Sequence, residues 1–294
     1  MSEITIKKII KAFVPYGIIW LHSVYNRKKQ ILLRRREQRT LQRVEVYLVD
    51  HCNLKCAGCG VFSPLAGDKY LDISMYQRDC QRLSELTGGG IEVIRLVGGE
   101  PTLHPKLPDI CAVTREYFKI SKIQMVTNGI LLSKKEDAFW KMCKEHKIDI
   151  QISEYPITIN IAKILEKASL HDVVIEFTGT KTNSMWRMKL DIEGKQDAEK
   201  SFKKCWMGNT CVTISGGRLY TCGIMTHIEH FNKYFNTDLQ VGESDSIDIY
   251  KVKNIREVLK FLCKPIPFCR YCDMKGMSYG HKWQISKKDL KEWT

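Results

Sequence analysis

Five short runs rich in β-branched residues, each followed by a helix-forming stretch, constrain this chain more than any other feature. They are VEVYLVD (44–50), IEVIRLV (91–97), KIQMVT (122–127), DIQIS (149–153) and DVVIEF (172–177). Strand-length runs alternating with helical stretches are the pattern of repeated βαβ units, and such units impose a parallel sheet in an α/β fold. Asp72 with Ser74 offers an N-cap for a helix ending near Thr87. SKKE at 133–136 reads as a capping box ahead of an amphipathic run to His146.

Twelve cysteines in 294 residues are the compositional anomaly. No cleavable secretory signal precedes them, so a reducing, cytoplasmic setting is expected, where clustered cysteines more often bind metal or do chemistry than form disulfides. Hydrophobic residues at 44% and charged residues at 27% exclude wholesale disorder. Cys80, Cys111 and Cys143 fall in helical stretches and are expected to be core.

In parallel α/β folds ligands collect at the carboxyl ends of the strands. Three motifs share that rim: DHCNLKCAGCG (50–60) after the first strand, GGEP (98–101) after the second and NG (128–129) after the third. The first places Cys52, Cys56 and Cys59 in the spacing CxxxCxxC. A structural zinc ion wants four closed ligands, commonly from two knuckles, and three cysteines on one loop fit that poorly. A four-iron cluster fits better, because three thiolates leave one iron without a protein ligand. Gly98 and Gly99 allow close backbone approach, and Glu100, ahead of the turn-fixing Pro101, can accept from an ammonium group. His51 and His104 are expected to orient loops.

Taken together, CxxxCxxC, GGEP and VTNG resemble the radical S-adenosylmethionine (radical SAM) superfamily over about residues 44–180. The resemblance implies a partial (β/α)6 TIM-like barrel of parallel strands. It also implies a 4Fe-4S cluster on Cys52, Cys56 and Cys59 whose open iron chelates S-adenosylmethionine, reductive cleavage to a 5′-deoxyadenosyl radical, and hydrogen abstraction from substrate. Gly98, Gly99, Glu100, Pro101, Thr127, Asn128 and Ser153 are the implied cofactor-binding residues, and a flavodoxin or ferredoxin the implied reductant. The family's aromatic residue before the third cysteine is Gly58 here, and Phe62 is the substitute the sequence offers for an adenine contact.

Further along, CWMGNTCVTISGGRLYTC contains Cys205, Cys211 and Cys222, and CKPIPFCRYC contains Cys263, Cys269 and Cys272. VTISGGRLYT reads as a β-hairpin with a Gly-Gly turn. This arrangement resembles the SPASM or shorter twitch extension, a small cysteine-rich β-hairpin and helix module holding an auxiliary 4Fe-4S cluster. Cys205, Cys222, Cys269 and Cys272 match the twitch spacing. Cys211 and Cys263 are surplus and, with Glu176, are the candidate catalytic groups. Without the resemblance, a zinc site built from Cys205 or Cys211, Cys222 and the CxxC is the alternative.

Net charge is +14, and before residue 44 eleven Lys or Arg stand against two acids. Residues 12–43 read either as a peripheral contact with the inner face of the membrane, with Phe13, Tyr16, Trp20 and Tyr25 at headgroup level, or as a helix packed on the domain. The expected organisation is a basic helical segment (1–43), a radical SAM partial barrel (44–200) and a cysteine-rich domain (201–294). Pocket groups at or beyond strand ends are Glu154, Tyr155, Glu176, Asn183 and Arg187.

The segment FVPYGIIWLHSVYNR loosely resembles radical SAM proteins that accompany surface-polysaccharide glycosyltransferases. That implies oxidation or epimerisation of a sugar or other glycan-related small molecule. Modification of a ribosomal peptide is the alternative enzyme reading. A non-catalytic zinc protein holding nucleic acid is disfavoured, since basic residues are not interleaved with aromatics around the cysteines.

Overall fold

A computed structural model describes residues 40–178, 185–208 and 210–294. The expected βα rhythm is present. In chain order the elements are β1 (Arg43–Tyr47), α1 (Ile73–Thr87), β2 (Val93–Val97), α2 (Leu107–Tyr117), β3 (Lys122–Thr127), α3 (Asp137–Glu145), β4 (Ile148–Ser153), α4 (Ile161–Leu170) and β5 (Ile175–Thr178). After β6 (Met185–Arg187) and α5 (Ala198–Lys204) come β7 (Thr213–Ser215), β8 (Arg218–Tyr220), α6 (Ile228–Phe235), β9 (Ser246–Asp248), α7 (Ile255–Leu262) and β10 (Ser278–His281).

An eight-stranded sheet runs β5-β4-β3-β2-β1-β7-β8-β9. Neighbours from β5 to β1 pair in parallel, as does β7 on β1. The β7–β8 hairpin turns through Gly216 and Gly217 at φ 55° and 72°, the doubly left-handed turn that a Gly-Gly pair permits. Because β7 pairs with β1, the sheet continues past residue 200, and Asp79 of α1 secures the hairpin by accepting from the Gly217 amide (2.9 Å) and the Tyr250 hydroxyl (2.8 Å).

Alternation within the strands sorts residues between two environments. Val44, Val46, Ile94, Leu96, Ile123, Met125, Ile150 and Ile152 face α1–α4 in the larger core, which also takes Cys80, Cys111 and Cys143. A second core gathers Phe62, Met188, Phe231, Phe268 and Trp293. Asp72 caps α1, accepting from the Met75 amide at 2.7 Å.

The SKKE capping box does not form. Leu132, fully buried, draws Leu132–Lys134 into a 3-10 turn, and α3 starts at Asp137 behind Glu136, which makes no side-chain cap. Among the described residues no helix is long and apolar enough to cross a membrane. The basic segment over residues 1–39 and Asn183 lie outside the described residues.

Candidate functional site

The loop after β1 presents three cysteines, with Cys56 buried and Cys52 and Cys59 half-buried. Burial pushes the thiols of Cys52 and Cys56 up to about 12. Donors surround them nonetheless. The Leu54 amide donates to Cys52 Sγ at 3.3 Å, and Asn128 Nδ2 stands 3.7 Å from the same sulfur while donating to Asn53 Oδ1 at 2.7 Å. Trp283 Nε1 donates to Cys56 Sγ at 3.0 Å, with the Tyr155 hydroxyl as a second partner.

Zinc at about 2.3 Å from each sulfur would need sulfurs within about 4 Å of one another. Among the described residues, the trio of ligand atoms lying within 4.8 Å of one another is Asp50, Glu229 and His230. Among the described residues neither cysteine set brings three sulfurs within that distance. The Asp50 trio already contains a cation: Lys69 pairs with Glu229 and stands 3.7 Å from Asp50. Burial pushes the Asp50 carboxyl upward, but hydrogen bonds from His227 and His230, with the Lys69 charge, hold it well below the usual carboxylate range.

At the β2 rim, the two glycines serve backbone approach within the protein. A Cβ on Gly98 would stand 2.6 Å from the Val49 carbonyl oxygen, and one on Gly99 would stand 2.0 Å from that of His51. The Gly99 amide donates to Val49 O at 2.6 Å and the Glu100 amide to His51 O at 3.1 Å, so β2's exit is sewn to the cysteine loop. Glu100, 1% exposed, accepts on Oε1 from the Thr102 amide and hydroxyl and from the Thr127 hydroxyl, and on Oε2 from the Asn128 amide. It ties the β2 rim to the β3 rim, and Oε2 keeps a lone pair for a further donor. Pro101 opens the buried 3-10 turn that follows, and Ser153 closes β4 beside Thr178. His104 orients its loop, bonding Leu71 O through Nε2 at 3.2 Å and accepting from the Lys106 amide at 3.1 Å.

Opposite the helix-packed face, alternate strand positions carry polar side chains. Arg95 donates to Glu45 (2.7 Å) and Gln151 (2.8 Å), and Glu176 accepts from Lys122 (2.6 Å) and Gln124 (2.7 Å). Glu176 is thereby held in an ion-paired network on β5. Of the remaining expected pocket groups, Tyr155 lies against the cysteine triad, Glu154 donates its amide to Thr178, and the Arg187 stem lies beside Gly58.

Cys205, Cys222, Cys269 and Cys272 line one cavity walled by Phe202, Met207, Ile266 and Phe268. Burial drives the Cys222 and Cys272 thiols well above the ordinary value, and the other cysteines of the group reinforce this. Cys211 lies outside that lining. Burial pushes its thiol up to about 12, and its charged neighbours are Glu45, Arg95 and Arg43 of the polar sheet face. Cys263 is the C-cap of α7 and is not among the cavity-lining residues. Tyr47 links the two regions: it bonds Glu45 at 3.3 Å and abuts Gly223, whose Cβ would stand 2.3 Å from its hydroxyl.

One expectation changes here, and one segment gains a role. Phe62 is fully buried in the second core against Phe231 and Trp293, so it cannot present its ring to a ligand at the rim. Residues 277–294, assigned no role from sequence, reach the cysteine loop through Trp283, Ile285 and Trp293. The polar sheet face of Glu45, Arg95, Gln124 and Gln151 was legible in the strict alternation of VEVY and IDIQIS. The tail had no such signal, because its partners are more than 220 positions away.

Residues 46–153 match the sequence profile of the radical SAM superfamily. The GTP 3′,8-cyclase of Chlorobaculum tepidum is 32% identical over 110 residues, which are 37% of this chain and 32% of that protein. A probable GTP 3′,8-cyclase of Sulfolobus acidocaldarius is 29% identical over 159 residues, 50% of each chain. The chain spans about a third to a half of the length of these relatives. Among solved structures, BtrN in complex with AdoMet and 2-DOIA aligns over 80% of this chain and 94% of its own, with 17% identity and a TM-score of 0.48.

Proposed function

We propose, on the premise that residues 46–153 are a radical SAM domain, that this protein is a radical SAM enzyme acting on a hydroxyl-bearing small molecule of the sugar or nucleotide-sugar class. Cys52, Cys56 and Cys59 would hold the 4Fe-4S cluster. When bound, that cluster supplies one electron to the sulfonium of S-adenosylmethionine, whose carbon–sulfur bond breaks to give methionine and a 5′-deoxyadenosyl radical that takes a hydrogen atom from substrate. The remaining roles would fall to side chains around the cysteine loop. Glu100 Oε2 accepts from the cofactor's ammonium while Thr127 and Asn128 hold the carboxylate in place. Asn128 and Trp283 orient the thiolates, and Tyr155 limits water beside them.

The observation that carries the substrate class is the polar sheet face. Glu45, Arg95, Gln124, Gln151 and Glu176 present both donors and acceptors at fixed positions, as recognition of several hydroxyl groups requires. The relatives' name, GTP 3′,8-cyclase, supports including a nucleoside triphosphate in the same test. Cys205, Cys222, Cys269 and Cys272 would hold an auxiliary 4Fe-4S cluster able to accept an electron from a substrate radical, giving net oxidation. Cys211, a protonated thiol beside Glu45 and Arg95, would instead return a hydrogen atom, giving epimerisation.

The test is anaerobic turnover with S-adenosylmethionine, a reductant and a panel of C–H deuterated nucleotide sugars with GTP. Deuterium in 5′-deoxyadenosine identifies the substrate. Uncoupled 5′-deoxyadenosine without label from any panel member rejects the substrate class and leaves the radical SAM reading standing.

A further inference from the structure

Residues 283–293 form a strap across the cysteine loop. Trp283 Nε1 donates to Cys56 Sγ at 3.0 Å. Ile285 makes an antiparallel bridge with Cys56, closed by the Ala57 amide donating to Gln284 O and the Ser286 amide to Lys55 O, each at 2.9 Å. Trp293, completely buried among Phe62, Phe231 and Phe235, donates through Nε1 to the Cys59 carbonyl at 2.9 Å. Between these anchors the strap is internally organised by Glu292, which accepts from Ser286 Oγ and the Lys287 amide, each at 2.6 Å.

Gly58 makes the strap possible. It has φ 66°, and a Cβ there would stand 3.0 Å from the Glu292 carbonyl oxygen and 3.5 Å from the Arg187 stem. A side chain before Cys59 and a strap over Cys59 therefore compete for one space. This chain leaves the position bare and brings two indoles to the loop from elsewhere.

We propose that the strap is a working part of the cluster site, with Trp283 as the positioning residue that sets how the Cys56 thiolate holds its iron; this rests on the radical SAM reading. An N–H donor on a ligating sulfur draws charge from it and favours the more negatively charged, reduced cluster, which raises the reduction potential. Trp293 fixes the loop backbone and carries no bond to a sulfur, so it affects retention of the cluster rather than its potential.

The experiment compares reconstituted wild type with W283F, W283H and W293F by redox titration of the electron paramagnetic resonance signal that shifts on adding S-adenosylmethionine. That signal separates the triad cluster from any other. W283F retains iron and titrates at a more negative potential, W283H, which keeps a ring N–H, returns toward wild type, and W293F loses iron to a chelator faster at unchanged potential. Alkylation of the buried Cys80, Cys111 and Cys143 identifies any variant that fails to fold. An unchanged potential in W283F, or a potential in W283H no closer to wild type than that of W283F, overturns the strap proposal alone. A wild type without a cluster signal responsive to S-adenosylmethionine overturns the radical SAM reading together with it.

Discussion

The two cysteine groups of this protein are built in opposite ways. Cys52, Cys56 and Cys59 come from one loop of eight positions, held from outside by the rims of β2 and β3 and by the 283–293 strap. Cys205, Cys222, Cys269 and Cys272 come from three separate places, the end of α5, the strand exit of β8 and the 3-10 turn near residue 270, and meet in a cavity with apolar walls. The first group has local spacing and needs distant parts for orientation. The second has no compact spacing and depends on the fold to exist as a group at all. A three-thiolate set leaves a coordination position open for chemistry, whereas a four-thiolate set encloses its cluster and suits electron transfer.

The sharpest way to break this contrast is to remove each set in turn and count iron. Replacing Cys52, Cys56 and Cys59 together by alanine should lower reconstituted iron from about eight to about four per chain and reduce 5′-deoxyadenosine formation to background. Replacing Cys205, Cys222, Cys269 and Cys272 should remove the other four and leave the S-adenosylmethionine-dependent signal. Loss of all iron in either variant would show that the two groups are not independent.

Next in size is Trp293→Ala. Removing a fully buried indole between three aromatic rings should cost about 3–5 kcal/mol in denaturant unfolding. Because Trp293 belongs to the second core and also bonds Cys59 O, the variant should release iron from the triad before the four-cysteine cavity.

Gly99→Ala separates the groups in the other direction. Its Cβ would collide with the His51 carbonyl, and backbone displacement of this kind costs about 1–3 kcal/mol. Iron should fall at the triad only, read by the same spectroscopy. Cys211→Ser should have the smallest effect of the cysteine changes: iron at both sites stays at the wild-type level, while Cys222→Ser, next in the same stretch of chain, loses iron from the cavity. On the polar sheet face, Lys122→Met should change stability by only about 0–1 kcal/mol, since the Lys122 side chain is 40% exposed and its pairs with Asp149 and Glu176 are screened by water.

Much of the rim was readable in advance. Alternation of β-branched runs with helices specifies βαβ units locally, and the register follows from burying one face, so β1 to β5 and the three rim motifs fell where expected. The hairpin with its Gly-Gly turn was equally local. Ser133–Glu136 misled because a capping box is a local signal, and burial of Leu132 against the core outweighed it. Phe62 misled for the same reason: adjacency to the cysteines in sequence suggested a ligand contact, but its ring gains more from the aromatic second core.

What the sequence by itself determined is therefore what depends on periodicity and short spacing: the parallel sheet, the polar and apolar faces of its strands, and a loop with three thiols at the strand exits. Tertiary structure alone decided the rest. Only the folded chain gathers Cys205, Cys222, Cys269 and Cys272 around one cavity, turns Glu100 into a brace between two rims, and lays Trp283 and Trp293 across a loop more than 220 residues earlier. The physical reason is range: propensity and periodicity act within a few turns of chain, whereas a hydrogen bond to a buried sulfur depends on where two independently packed segments meet.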